Sequence, residues 1–237
     1  MSRKRGKAAR DRSRHLPVRT VPRDGWGVAL EVGGVTQSVS VPDDAAGGAA
    51  PADGPHPGPG GGYWGLLLPL KCPRRALLLG LGGGTVAWLL ARRCPGVHIV
   101  GVERDAEVLA VARADFALDE IPGLEVAQAD AFTWVEQHAA SEPGSYDHSC
   151  LDLFQGGRLA LGALATPFLR QLATLLAPSG ILTVNLMVTQ RTPDQLHRLE
   201  RVFAVQRQIK HRGNLIIHAE LLEPSDQRDG SSTQVSS

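Results

Sequence analysis

Three acids, Glu103, Asp130 and Asp152, each close a strand-like run, and a glycine cluster at Gly80, Gly82, Gly83 and Gly84 closes another. A carboxylate at the end of a buried strand can accept hydrogen bonds from both ribose hydroxyls. It can also take a proton from an attacking nucleophile. Glycines let the backbone turn tightly and let a ligand approach with no Cβ in the way. The helix that follows such a turn presents free N–H groups. Together these residues have the chemistry of a nucleotide site.

The elements that must position them are legible around residues 75–105. The apolar run Ala76 to Leu79 meets the glycines, and a helix-compatible segment, Thr85 to Cys94, stops at Pro95-Gly96. A second apolar run, His98 to Val102, then ends in Glu103. Strand, glycine turn, helix, strand and acid make half of a nucleotide-binding α/β fold. Glu103 as a mere surface carboxylate is the alternative, and this order of elements favours the ribose role. The dinucleotide fingerprint G-x-G-x-x-G fails, because counting from Gly80 puts Thr85 where its third glycine belongs.

Further along, Asp105 is placed to cap a helix whose apolar face holds Val108, Leu109, Val111, Ala112 and Phe116. Leu124 to Ala129 reads as a third strand ending in Asp130, with a helix from Ala131 to Ala140. Tyr146 to Leu151 reads as a fourth strand ending in Asp152. Thr166-Pro167 starts a helix that Pro178-Ser179-Gly180 ends. Ile181 to Val188 is a fifth strand, and Thr192-Pro-Asp-Gln195 has the form of a capping box. Two β runs, Ala204 to Lys210 and Leu215 to Leu221, are joined by Arg212-Gly213-Asn214 as an antiparallel hairpin.

The 237 residues, 43% hydrophobic and 21% charged, suit one globular domain. The net charge of +1 points to no acidic partner. Residues 1–24 form a basic tail expected to be disordered. Residues 25–41 read as a small hairpin around Gly33-Gly34, and 42–62 as a Pro/Gly-rich linker. Residues 63–223 form the main domain, and 224–237 a polar tail expected to be disordered. Tyr63-Trp64 opens a short apolar segment over the cleft. Cys72, Cys94 and Cys150 are scattered and make no metal spacing, so no metal is expected. A sparse, odd set of cysteines suggests a reducing, cytoplasmic setting. No apolar run reaches membrane-spanning length, and the first residues lack the apolar stretch of a signal peptide.

The compact Gly80-Leu-Gly-Gly-Gly84-Thr85 resembles the first motif of the S-adenosylmethionine-dependent transferases. Five βα units with a closing hairpin resemble their class I methyltransferase fold, a seven-stranded, mostly parallel Rossmann-like sheet. Within that superfamily the chain is similar to spermidine synthase and its relatives from about Val28 to Glu220, apart from the Pro/Gly insert. Leu30 to Ser38 resembles the family's strand, turn and glutamine motif, which puts Gln37 beside the cofactor. Tyr63 matches the tyrosine opening the next motif, on the substrate side. The resemblance implies that Gly80, Gly82, Gly83 and Gly84 cradle the cofactor, that Glu103 holds the ribose, and that Asp130 and Ala131 hold the adenine. Tyr146-Asp147 and Asp152 match the fourth strand and its terminal acid.

Two departures weigh on function. Spermidine synthases follow the strand-four acid with two small residues and a catalytic aspartate, where this chain reads Asp152-Leu153-Phe154-Gln155. An amide such as Gln155 cannot serve as a general base at neutral pH. After the tyrosine the family usually carries a polar residue and a glutamate that hold the amine, where this chain has Trp64 and Gly65. Three readings follow. The leading one is an S-adenosylmethionine-dependent methyltransferase with Asp152 as catalytic base and cofactor contact, and with Tyr63 and Gln155 facing the acceptor. The second is aminopropyl transfer from decarboxylated S-adenosylmethionine, as in polyamine biosynthesis. The third is a non-catalytic nucleotide-binding protein. For Asp152, orienting the cofactor amino group or its loop weighs as much as catalysis. The acceptor, a small molecule or a protein, stays open, as does pairing into a homodimer. Neither a membrane nor a nucleic-acid partner is expected.

Overall fold

The structure is a computed structural model, and it describes residues 16–23, 27–41, 61–155 and 157–222. In chain order β1 (Val18–Arg23), β2 (Gly27–Val32) and β3 (Val35–Val39) form a small antiparallel sheet. A 3-10 turn, Trp64–Leu67, leads to β4 (Arg75–Leu79), α1 (Thr85–Arg93), β5 (His98–Glu103) and α2 (Ala106–Asp115). Then come β6 (Leu124–Gln128), α3 (Ala131–His138) and β7 (Tyr146–Leu151). A two-residue ribbon, β8 (Phe154–Gln155) with β9 (Arg158–Leu159), precedes α4 (Thr166–Leu175). The chain closes with β10 (Leu176–Met187), α5 (Thr192–Glu200), β11 (Phe203–His211) and β12 (Asn214–Leu221).

The main sheet has seven strands in the order β11-β12-β10-β7-β4-β5-β6. The five strands from β10 to β6 are parallel, and β12 and β11 add an antiparallel edge. The central strand β4 is apolar at nearly every position because helices cover both faces of a parallel sheet. Its alternation divides the core. Leu77 and Leu79 face the layer of α3 and α4, while Ala76 and Leu78 face the layer of α1.

Several elements differ from the sequence reading. Val18–Arg23, assigned to the tail, is a strand pairing with β2 from Val18↔Val32 to Arg23↔Gly27. Two ion pairs hold it there, Arg19 and Arg23 gripping the buried Glu31 at 2.7 and 2.8 Å. The expected hairpin is thus the centre and one edge, β2 and β3, of a three-stranded sheet. β10 begins at Leu176 rather than Ile181, with Pro178–Gly180 accommodated in a register shift. Thr192 is not the cap of α5. That position is Arg191, and Thr192 Oγ1 accepts the Thr189 N–H instead. The remaining tail residues, the linker from 42 to 60 and the C-terminal tail lie outside the described residues.

Cys72 and Cys94 form a disulfide across 22 residues, tying the approach to β4 to the end of α1. The scattered cysteines therefore meet in space, and the argument from them to a reducing compartment loses its premise. No helix among the described residues is long and apolar enough to cross a membrane.

Candidate active site

The carboxyl ends of β7, β4, β5 and β6 stand side by side, and a cleft of about 270 Å³ opens over them. This is where an open parallel sheet binds its ligands. Gly80, Gly82, Glu103, Asp130, Ala131, Asp152, Gln37 and Gln155 all line it. Gly83 and Gly84 lie just behind, in the turn into α1, where Gly84 caps the helix at φ +83°. Gly80 has φ +91°, and a Cβ there would stand 2.3 Å from the Asp152 carbonyl oxygen. Any side chain at 80 would push the end of β4 away from the end of β7.

The small N-terminal sheet fastens the glycine turn from above. Ser38 Oγ accepts the Gly83 N–H at 2.7 Å, and Thr85 Oγ1 both donates to and accepts from the backbone of Val39. Ser38 and Thr85 were missed because the resemblance drew attention to Gln37 alone. The Gln37 carbonyl accepts the Trp64 indole N–H at 3.2 Å, so β3 also holds the 3-10 turn that roofs the cleft.

Glu103 is held from three sides. One carboxylate oxygen accepts Gly82 N–H at 3.1 Å, and the other accepts the N–H groups of Arg104 and Asp105. Burial pushes its carboxyl above the ordinary range, and these three donors oppose that push. Asp130 caps α3, its Oδ1 accepting the Phe132 and Thr133 N–H groups, while its other oxygen lies 3.9 Å from Arg104. Asp105 caps α2 in the same way. Three of the cleft carboxylates thus bind backbone N–H groups.

Asp152 is held differently. The Tyr63 hydroxyl donates to its Oδ2 at 3.0 Å, and Asn185 donates to its Oδ1 at 2.8 Å. Asn214 in turn donates to the Asn185 carbonyl oxygen at 2.7 Å. Four side chains, Tyr63 just before the 3-10 turn, Asp152 just past β7, Asn185 on β10 and Asn214 on β12, therefore form one chain of hydrogen bonds. Burial raises the Asp152 carboxyl to about 6, against the pull of the Asn185 and Tyr63 donors. Burial and the neighbouring carboxylate drive the Tyr63 hydroxyl well above its ordinary value, so it stays a donor. A carboxylate near 6 with fixed orientation can take up a proton close to neutral pH.

Asn185 and Asn214 were missed by the sequence reading. The signal was present, since Asn185 is an amide in a strand buried on both faces, and a buried amide needs partners. Gln155, at the position of the family's catalytic aspartate, is an exposed residue of β8 at the cleft edge. Phe154 beside it also lines the cleft. Among the described residues no cluster of His, Cys, Asp and Glu is arranged to hold a metal ion.

No protein-family model matches the chain. Over 130 residues it is 33% identical to the polyamine aminopropyltransferase of Vibrio vulnificus (strain CMCP6), covering 55% of this chain and 43% of that protein. Over 139 residues it is 30% identical to the trans-aconitate 2-methyltransferase of Paracidovorax citrulli (strain AAC00-1), covering 59% of this chain and 48% of that protein. The chain spans about half the length of the curated relatives it matches. The crystal structure of a probable spermidine synthase from Corynebacterium glutamicum ATCC 13032 superposes with a TM-score of 0.62 at 19% identity, covering 87% of this chain and 77% of that one. The fold is the Rossmann-like class I methyltransferase fold in its spermidine synthase-like form. By sequence, the chain is similar to methyltransferases and to aminopropyltransferases alike.

Proposed function

We propose that this protein is an S-adenosylmethionine-dependent transferase, and in the first place a methyltransferase. The observation that carries the reading is the row of groups at the ends of four adjacent strands: Asp152 after β7, the glycine turn after β4, Glu103 closing β5 and Asp130 after β6. The donor set fits an adenosyl ligand. Glu103 is placed to receive ribose hydroxyls, and Asp130 with the start of α3 to face the adenine edge. When bound, such a cofactor supplies an electrophilic carbon next to a sulfonium.

The chain's own contribution is alignment, exclusion of water and removal of one proton. Trp64, Leu153 and Phe154 narrow the space beside Asp152. Tyr63 and Asn185 fix the carboxylate of Asp152, which lines the cleft. Asp152 accepts the proton of the incoming nucleophile.

Aminopropyl transfer from decarboxylated S-adenosylmethionine is the second reading, favoured by the Tyr63–Asp152 pair and by the aminopropyltransferase relative. Gln155 counts against it, because a diamine dication needs carboxylates to offset its desolvation and Asp152 stands alone on that side. Loss of a general base costs about 10²–10⁴ in rate. With putrescine and decarboxylated S-adenosylmethionine, the protein should form little methylthioadenosine. Turnover on the order of 1 s⁻¹ or faster would make aminopropyl transfer the activity.

A further inference from the structure

The charges lining the cleft are unevenly divided. Glu103, Arg104, Asp105 and Asp130 sit over β5 and β6, on one side of the glycine turn. On the other side, over β7, Asp152 is the single charged lining residue among those described. Its neighbours there are Trp64, Leu153 and Phe154, with the Gln155 amide at the rim. At the tip of the β8–β9 ribbon, a Cβ on Gly157 would lie 3.4 Å from Val35 at the turn of the β2–β3 hairpin, so the two tips meet.

From this division we infer the class of acceptor: an amine with one basic nitrogen on an apolar body, such as an arylalkyl or alkyl primary amine. The inference rests on the transferase reading above. Asp152 is a single carboxylate and so balances a single ammonium, with one lone pair on each oxygen left by Tyr63 and Asn185 to receive its N–H groups. A second ammonium, as in a diamine, would be desolvated against Trp64 and Phe154 with no counter-charge. A polycarboxylate would meet Asp152 with no cation among the described lining residues on that side, because Arg104 stands on the far side beside Asp130. An apolar body instead gains from burial against those same side chains.

The step balances simply. The neutral amine nitrogen forms a bond to the transferred carbon. The carbon–sulfur bond of the sulfonium breaks, and its electron pair stays on sulfur as the neutral thioether. The proton displaced from nitrogen passes to Asp152 and then to water.

The test uses the full chain. Calorimetry with S-adenosylmethionine comes first, and absence of binding would overturn the transferase reading itself. With cofactor bound, release of S-adenosylhomocysteine, or of methylthioadenosine from the decarboxylated cofactor, is followed with benzylamine, hexylamine, putrescine and trans-aconitate. The expected result is a kcat/KM for benzylamine or hexylamine at least tenfold above that for putrescine or trans-aconitate. Gln155→Glu adds a carboxylate at the rim and should raise the putrescine value at least tenfold. If cofactor binds but neither monoamine is consumed, or if putrescine or trans-aconitate is preferred, the acceptor class is wrong.

Discussion

Glu103 and Asp152 illustrate how two carboxylates at equivalent strand ends acquire different work. Glu103 is surrounded by backbone N–H groups, which favour its charged form, and a charged acceptor suits ribose hydroxyls. Glu103→Ala should lower methylthioadenosine affinity at least tenfold, consistent with the roughly 1.5–3 kcal/mol of a charge-assisted contact. Calorimetry checks this, and unchanged affinity would reduce Glu103 to a brace for the glycine turn. Asp152 is held by neutral donors in a drier place and sits near 6. Transfer should therefore rise with pH through a limb centred near 6 as Asp152 ionises. Removing the Asn185 donor takes away a bond that favours the ionised form. In Asn185→Leu the limb should move to higher pH, a shift that loss of stability alone would not produce. Gln155 was readable in the sequence because it replaces an acid in a short local motif. Asn185 showed only as an amide inside a buried strand; that it and Asn214 reach Asp152 follows from the pairing of β7, β10 and β12, which no local spacing encodes.

At the scale of elements, the glycine turn was legible and its clamp was not. The turn is announced by four glycines between a strand and a helix. The clamp depends on where the small sheet docks, and that depends on contacts as distant as Ser38 to Gly83. β1 was hidden for a related reason. Its sequence is basic and carries Pro22, which reads as tail, yet its arginines pair with Glu31 across the sheet, a partner visible only once β1 and β2 are in register. The Cys72–Cys94 link belongs to the same class of long-range contact. Its 22-residue loop predicts that Cys72→Ser with Cys94→Ser lowers stability by about 3 kcal/mol on the chain-entropy argument. Urea unfolding of the oxidised protein beside the double variant measures this, and equal midpoints would contradict it.

Over the whole molecule, the alternation of strands and helices predicted the seven-stranded sheet and its antiparallel edge, because that pattern repeats and each repeat is local. The buried histidines of the sheet add a property that composition does not show. His148 lies wholly buried with Nε2 2.9 Å from Thr183 Oγ1, and burial lowers its pKa to about 3. His218 donates to the Leu66 carbonyl, and its pKa is lowered too, again by burial. Groups whose folded pKa is depressed lend stability above their unfolded pKa and lose it as pH falls toward the folded value. Asp152 acts in the opposite sense, so the histidine effect is best read as a difference between proteins. Between pH 7 and pH 5, His148→Gln should lose less stability than the wild type by about 2 kcal/mol; parallel losses in urea unfolding would refute that assignment. The cleft over β7, β4, β5 and β6 should hold an adenosyl sulfonium ligand rather than a dinucleotide. Calorimetry of the full chain against S-adenosylmethionine, its decarboxylated form, methylthioadenosine and NAD measures this. The expected result is one-site binding of an adenosyl sulfonium compound and of methylthioadenosine, and no binding of NAD. Binding of NAD with no response to any of the other three would contradict it.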